Sequence, residues 1–175
     1  MGPNIDTARF AEMALPHLDA AYNLARWLTR DPADAADVVQ EAMLRALRFF
    51  GGYRGGSVKS WLLAIVRNTA IDWMRTNRPA QRVQTFPDED PLENVPSEGD
   101  DPETALIRIG DSQQLDRLIA ALPAEFRECL VLREMEELSY KEIAAVTGVP
   151  IGTVMSRLSR ARLLMQRALL RENGQ

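Results

Sequence analysis

Apolar residues in this 175-residue chain recur at three- and four-residue spacing, and strand-like alternation is absent, so the pattern predicts helices on both sides of one interruption. "FAEMALPHLDAAYNLARWLTR" offers one or two amphipathic helices, bent at Pro16. Asp31 and Pro32 then supply a start signal, a capping carboxylate followed by proline at the first helical position. The helix they open runs to about Phe49, with Val39, Met43, Ala46, Leu47 and Phe50 on its core side. "GGYRGG" breaks the chain at Gly51–Gly56, and a long helix follows from about Ser57 to Asn77, ending before Pro79. Trp61, Leu62, Ile65, Thr69 and Trp73 turn to one side of that helix; Arg67, Ile71, Arg75 and Arg78 form a basic edge on another.

The periodicity stops in "RVQTFPDEDPLENVPSEGDDP", where four prolines and many acids leave too little apolar surface to offset chain ordering. This predicts an acidic flexible linker. Beyond it, Leu106 and Ile109 begin a helix continuing through Leu115, Leu118, Ile119 and Leu122. Pro123 starts the next, with Phe126, Leu130, Val131 and Met135 on the buried side, and two more helices follow. The expected fold class is therefore all-α: two small helical domains, residues 1–80 and 106–175, joined by the linker 81–105.

Charge changes the picture only when it is divided along the chain. The net charge is -4. Residues 1–82 carry eleven Lys/Arg against eight Asp/Glu, residues 83–110 one against eight, and residues 111–175 nine of each. The acidity belongs to the linker, so it does not argue against an anionic partner for the two ends. One cysteine, Cys129, excludes an internal disulfide and fits a reducing cytoplasm. With one histidine, His17, beside it, a zinc site of the usual type is not expected. No apolar run approaches the ~20 residues of a membrane span, and no secretory leader is visible. The only dense carboxylates lie in the linker, a poor place to preorganise chemistry, so no catalytic residue, metal or cofactor is expected.

"SYKEIAAVTGVPIGTVMSRLSRAR" is the most informative stretch. Ser139 and Glu142 have capping-box spacing, Gly148 suits a turn, and helical periodicity resumes at Ile151. Helix, glycine turn and second helix at this length make a helix-turn-helix, which places its second helix in the DNA major groove. At ~100° per residue, Val154, Leu158 and Ala161 face the core while Ser156, Ser159 and Arg160 lie opposite, flanked by Met155 and Arg157. Serine and arginine suit phosphate oxygens and base edges, and Thr153 sits where a helix start could take a phosphate. The predicted duplex-binding set is thus Thr153, Met155, Ser156, Arg157, Ser159 and Arg160.

These residues resemble bacterial sigma factors of the extracytoplasmic-function group. "LPAEFRECLVLREMEELSYKEIAAVTGVPIGTVMSRLSRAR" is similar to that family's sigma-four domain, which recognises the −35 promoter element. "DPADAADVVQEAMLRAL" and "SVKSWLLAIVRNTAIDWMR" are similar to its sigma-two domain, which binds RNA polymerase and reads and melts the −10 element. The resemblance implies core RNA polymerase, through the β′ clamp coiled coil and the β subunit, together with promoter DNA and an anti-sigma factor, as partners. It carries "DVVQEA" onto the polymerase-binding motif; Asp37, Gln40, Glu41 and Leu44, which share the helix face opposite the core, are the expected contacts. It also carries a −10-binding role to Tyr53, Arg54, Ser57, Lys59, Asn68 and Asp72. The basic edge adds Arg67, Ile71 and Arg75, since arginines on one helix face can hold the phosphates of a displaced strand. Trp61 and Trp73 are expected in the core rather than as stacking platforms. The alternative reading, a stand-alone helix-turn-helix regulator, needs an input domain with a phosphate-accepting or ligand-binding site, and residues 1–82 offer none.

Overall fold

A computed structural model of the chain describes residues 3–78 and 112–174. In the first part, α1 (Pro3–Ala14) passes through a 3-10 turn, Leu15–His17, into α2 (Leu18–Thr29). Pro16 lies in that turn, where its missing N–H interrupts the helical ladder, which accounts for the expected bend. α2 ends on Arg30 in left-handed conformation, φ 61°. Asp31 then caps α3 (Pro32–Phe49), its carboxylate accepting the Asp34 N–H at 3.0 Å, and that bond lowers its pKa. A 3-10 turn, Phe50–Gly52, leads to Gly55 and Gly56 at φ 97° and 86°, a region open to glycine at little cost. Ser57 caps α4 (Val58–Asn77), accepting the Ser60 N–H at 3.1 Å.

α2, α3 and α4 pack against one another. Leu24, Leu62, Leu63, Val38 and Val66 fill the space between them, and Ala21, Ala25, Ala35, Ala42, Ala46 and Ala70 allow close approach. The buried stripe of α3 is Ala35, Val38, Val39, Ala42 and Ala46. This corrects the expected core side in one respect: Leu47 is 36% exposed, and alanines occupy the face it was assigned to. Ranking positions by hydrophobicity favours long side chains, whereas closely crossing helices select small ones. Trp61 and Trp73 pack partly buried against the core, as expected.

The second part contains α5 (Ser112–Ala120), α6 (Ala124–Leu130), α7 (Tyr140–Thr147) and α8 (Ile151–Asn173). α6 runs on as a π-helical turn, Val131–Met135. Phe126, Leu130, Leu132, Ile143, Leu158 and Met165 are almost fully enclosed. Arg133 ties the end of the π turn to the next helix, donating to the Leu138 carbonyl at 2.9 Å and lying over the Tyr140 ring at 4.8 Å. The linker 81–105 and the helix start expected at Leu106 and Ile109 lie outside the described residues. Among the described residues there is no strand, and no helix is long and apolar enough to cross a membrane.

The two parts touch. α4 packs on α7, and α2 packs on α6 and the π turn.

Leu158→Ala should lower stability by about 2–5 kcal/mol, because the lost methyl groups leave a cavity in an enclosed site. Leu47→Ala, at a surface position, should cost under about 1 kcal/mol. Urea unfolding of both variants checks the reassigned face of α3; equal losses would restore Leu47 to the core.

Candidate nucleic-acid interface

The turn between α7 and α8 is built by local bonds. The Ser139 hydroxyl accepts the Glu142 N–H at 3.1 Å, and the Ser139 N–H donates to the Glu142 carboxylate at 3.0 Å, a complete capping box. Gly148 closes α7 at φ 74°, its N–H reaching the Ala144 carbonyl at 2.8 Å. Pro150 then stands at the N-cap position of α8 and supplies no side-chain bond to its first N–H groups. Val154, Leu158 and Ala161 are buried, which orients the opposite face outward as the angles predict. Met155 is 52% exposed, Ser159 is exposed, and Thr153, Ser156 and Arg160 are half-buried beside them.

Two arginines of this helix are employed inside the domain. Arg157 reaches Glu125 of α6 at 3.6 Å and keeps 19% of its side chain exposed. Arg162 is buried and bonds Glu134 at 2.8 Å. Both hold α8 against α6 and the π turn that extends it. Arg157, at the edge of the expected reading face, is thereby drawn towards α6, while Arg160 lies half-buried on the face the periodicity assigns to it.

On the first part, Asp37, Gln40, Glu41 and Leu44 do come together. They line one side of a shallow groove between α3 and α4, with Thr69, Asp72 and Trp73 on the other. Leu44 is 47% exposed there, an apolar residue among charges. Arg45 spans the groove, pairing with Glu41 at 3.2 Å and Asp72 at 2.9 Å. Those carboxylates hold the Arg45 guanidinium above its ordinary pKa.

The predicted strand-binding residues do not form one surface. Tyr53 packs in an aromatic cluster, parallel to Phe50 with centroids 6.2 Å apart and tilted on Trp61 at 5.4 Å; its hydroxyl donates to the Gly56 carbonyl at 2.6 Å. Ser57 is occupied as the α4 cap, and Asp72 faces Arg45. Arg54, Asn68 and Arg75 are exposed, and Ile71 is half-buried. Lys59 and Arg67 turn towards the second part. Arg67 grips Glu128 with both ends of its fork, at 2.8 and 3.1 Å. Lys59 donates to the Glu136 carbonyl at 2.7 Å and lies 3.3 Å from its carboxylate.

Residues 13–79 match the family described as Sigma-70 region 2, and residues 112–165 match Sigma-70, region 4. The chain is 35% identical over 173 residues to RNA polymerase sigma-H factor of Pseudomonas aeruginosa, covering 94% of this chain and 88% of that protein. It belongs to the sigma-70 family of sigma factors, in the extracytoplasmic-function group. It is also 34% identical over 164 residues to ECF RNA polymerase sigma factor SigE of Mycolicibacterium smegmatis, covering 94% of this chain and 63% of that protein's length. Among solved structures it resembles sigma factor RpoE from Bartonella quintana, crystallised in complex with the anti-sigma factor NepR. That likeness has TM-score 0.69 and 29% identity, and covers 92% of this chain and 96% of the other.

In this sigma factor α2–α4 are thus region 2, and α5–α8 are region 4. Sequence reasoning missed four residues between them: Asn23, Ser60, Glu128 and Glu136. Ser60 donates to Glu142 at 2.8 Å, and Asn23 donates to Glu136 at 2.8 Å. A signal was present in "FRECLVL", where an arginine and a glutamate interrupt an apolar run. Charges at such positions need partners. Arg127 is 5% exposed and donates to the Ala120 carbonyl at 3.1 Å, with burial pulling its pKa down to about 10. Cys129 beside it is buried, and desolvation pushes its thiol up to about 12, which leaves it unreactive at neutral pH.

Glu142 gives a pH dependence. Its carboxyl is lowered from 4.5 to about 2, first by the Ser139 N–H and then by the Ser60 hydroxyl. A lowered folded-state pKa contributes stability that is present above 4.5 and is lost as pH falls towards about 2. The stability gap between the wild type and Glu142→Gln should accordingly narrow across that window in urea unfolding. A gap constant from pH 6 to pH 2 would remove the carboxylate from this role.

Proposed function

We propose that this sigma factor binds core RNA polymerase through region 2 and directs it to promoters, reading the −10 element with region 2 and the −35 element with region 4. The observation that carries this reading is the presence on one chain of a charged groove containing an exposed leucine and a helix-turn-helix with a polar, cationic outer face. A stand-alone regulator would have no use for the first. Asp37, Gln40, Glu41 and Leu44 supply the polymerase contact: an exposed apolar anchor ringed by polar groups suits a partner helix such as the β′ clamp coiled coil.

On α8, Met155, Ser156, Ser159 and Arg160 face the major groove. The uncapped N–H groups at the start of the helix, near Thr153, favour a phosphate. Arg54, Asn68, Ile71 and Arg75 on region 2, with Lys59 and Arg67 once released from region 4, meet the −10 strand. The role asks for binding and no catalysis by this chain, and it places the protein in the cytoplasm. The likeness to RpoE solved with NepR supports control of this chain by an anti-sigma factor.

Purified chain added to core RNA polymerase should start transcripts from a subset of genomic promoter fragments. Polymerase that gains no new start sites would remove the proposal. Arg160→Ala should weaken −35 duplex binding by about 1–3 kcal/mol and relax preference at one base pair. Glu41→Lys should impair polymerase capture in a pull-down while leaving duplex affinity of the full chain unchanged.

A further inference from the structure

Three side chains of α4, Lys59, Ser60 and Arg67, each meet a carboxylate of region 4. The fork of Arg67 is closed on Glu128. The Lys59 ammonium sits on the Glu136 carbonyl and carboxylate, and the Ser60 hydroxyl donates to Glu142. The three acceptors come from α6, the end of the π turn and α7, so separate elements converge on one helix face. Side-chain exposure is 5% at Glu128, 8% at Glu136, 13% at Arg67 and 29% at Lys59. A phosphate approaching these groups in this arrangement would find them covered.

The chemistry of the contacts is that of phosphate recognition. Arginine presents the same two-pronged donor geometry to a carboxylate as to a phosphate, and a lysine ammonium or serine hydroxyl serves either anion. We propose that Glu128, Glu136 and Glu142 of region 4 are phosphate surrogates that occupy Lys59, Ser60 and Arg67, so that closure of the two domains and binding of single-stranded DNA on this face of α4 exclude one another. This rests on the reading of α4 as a −10-binding helix, and it adds the identity of the internal competitor. It also assigns Ser60 to the strand-binding face.

Magnitudes favour a switch over a permanent clasp. A buried ion pair gives back in attraction roughly what its desolvation costs, so these pairs specify the closed arrangement more than they stabilise it. Exchanging a carboxylate for a phosphate keeps each cation paired, so the exchange is nearly balanced and DNA concentration can tip it. Removing one carboxylate is different, because it strands a buried cation and drives the interface open. Arg54, Asn68 and Arg75 remain exposed in the closed form, which leaves a foothold for the incoming strand.

The test uses the full chain with dyes on Arg48→Cys and Leu170→Cys, both exposed; the buried Cys129 thiol stays unlabelled. Energy transfer reports closure, and anisotropy of a fluorescent twelve-nucleotide single strand of mixed sequence reports binding. Glu128→Gln combined with Glu136→Gln should lower energy transfer and tighten strand binding about tenfold, as expected when the competent fraction rises. The exposed neighbour change Glu137→Gln should alter neither reading.

Unchanged energy transfer in the double variant, or a fall in energy transfer with no gain in affinity, would overturn the proposal. Adding Arg67→Ala to the double variant should cancel most of the gain. If affinity instead stays high, α4 is not the strand-binding helix, and the underlying reading fails rather than the closure. Should the double variant not fold, titrating wild type with the same strand is decisive: energy transfer must fall as DNA binds, and a constant signal at saturation refutes competition.

Discussion

Glu128 is 4% exposed, and a carboxylate so removed from water must find a cation. It finds Arg67, 61 residues away in sequence and on the other domain, through two hydrogen bonds. Much of the closed arrangement follows from that requirement. With Arg67 drawn to α6, α4 lies along region 4, Lys59 reaches the end of the π turn, and Ser60 meets the capping carboxylate of α7. Glu142 consequently serves two purposes. It satisfies the first turn of the supporting helix of the helix-turn-helix, and it accepts a bond from region 2. The local geometry of the DNA-reading motif is thereby connected to the state of the other domain.

The interface differs in kind from the cores it joins. Within each domain, enclosed leucines, valines and alanines supply the stabilisation, and the loss of one such side chain is felt as a cavity. Between the domains, charged and hydroxyl groups carry the specific contacts, and their net worth is small because water would serve them almost as well. Under the proposed competition with DNA, such a boundary opens without unfolding either part. A two-domain sigma factor needs this property if the same residues are to face region 4 in one state and promoter DNA in another.

Arginine number and arginine availability are separate matters on α8. Arg157 and Arg162 are spent on Glu125 and Glu134, which fix the helix on its neighbours. Met155, Ser156, Ser159 and Arg160 lie on the side of α8 away from buried Val154, Leu158 and Ala161. That side is presented by a helix whose orientation is set by buried Val154 and Leu158.

Local features were legible from the chain alone because their causes are local. Asp31 caps the bond donor three residues on, Ser139 and Glu142 cap each other, Gly148 accepts positive φ where a side chain would be strained, and the angular order of α8 places Leu158 inside and Ser159 outside. Family membership was legible for the same reason, being written in short ordered motifs. The side chains of Leu47, Arg157, Lys59 and Arg67 were placed only by tertiary structure. Leu47 gave way because crossing helices chose alanines. Lys59 and Arg67 look like solvated cations on a helical wheel, since periodicity records which side of a helix a residue occupies and carries no record of what will be packed there. The sequence by itself determined the helices, their caps and the outward face of α8. The three-dimensional arrangement decided which charges remain exposed, because each buried carboxylate had to be matched with a cation that only the fold could bring near.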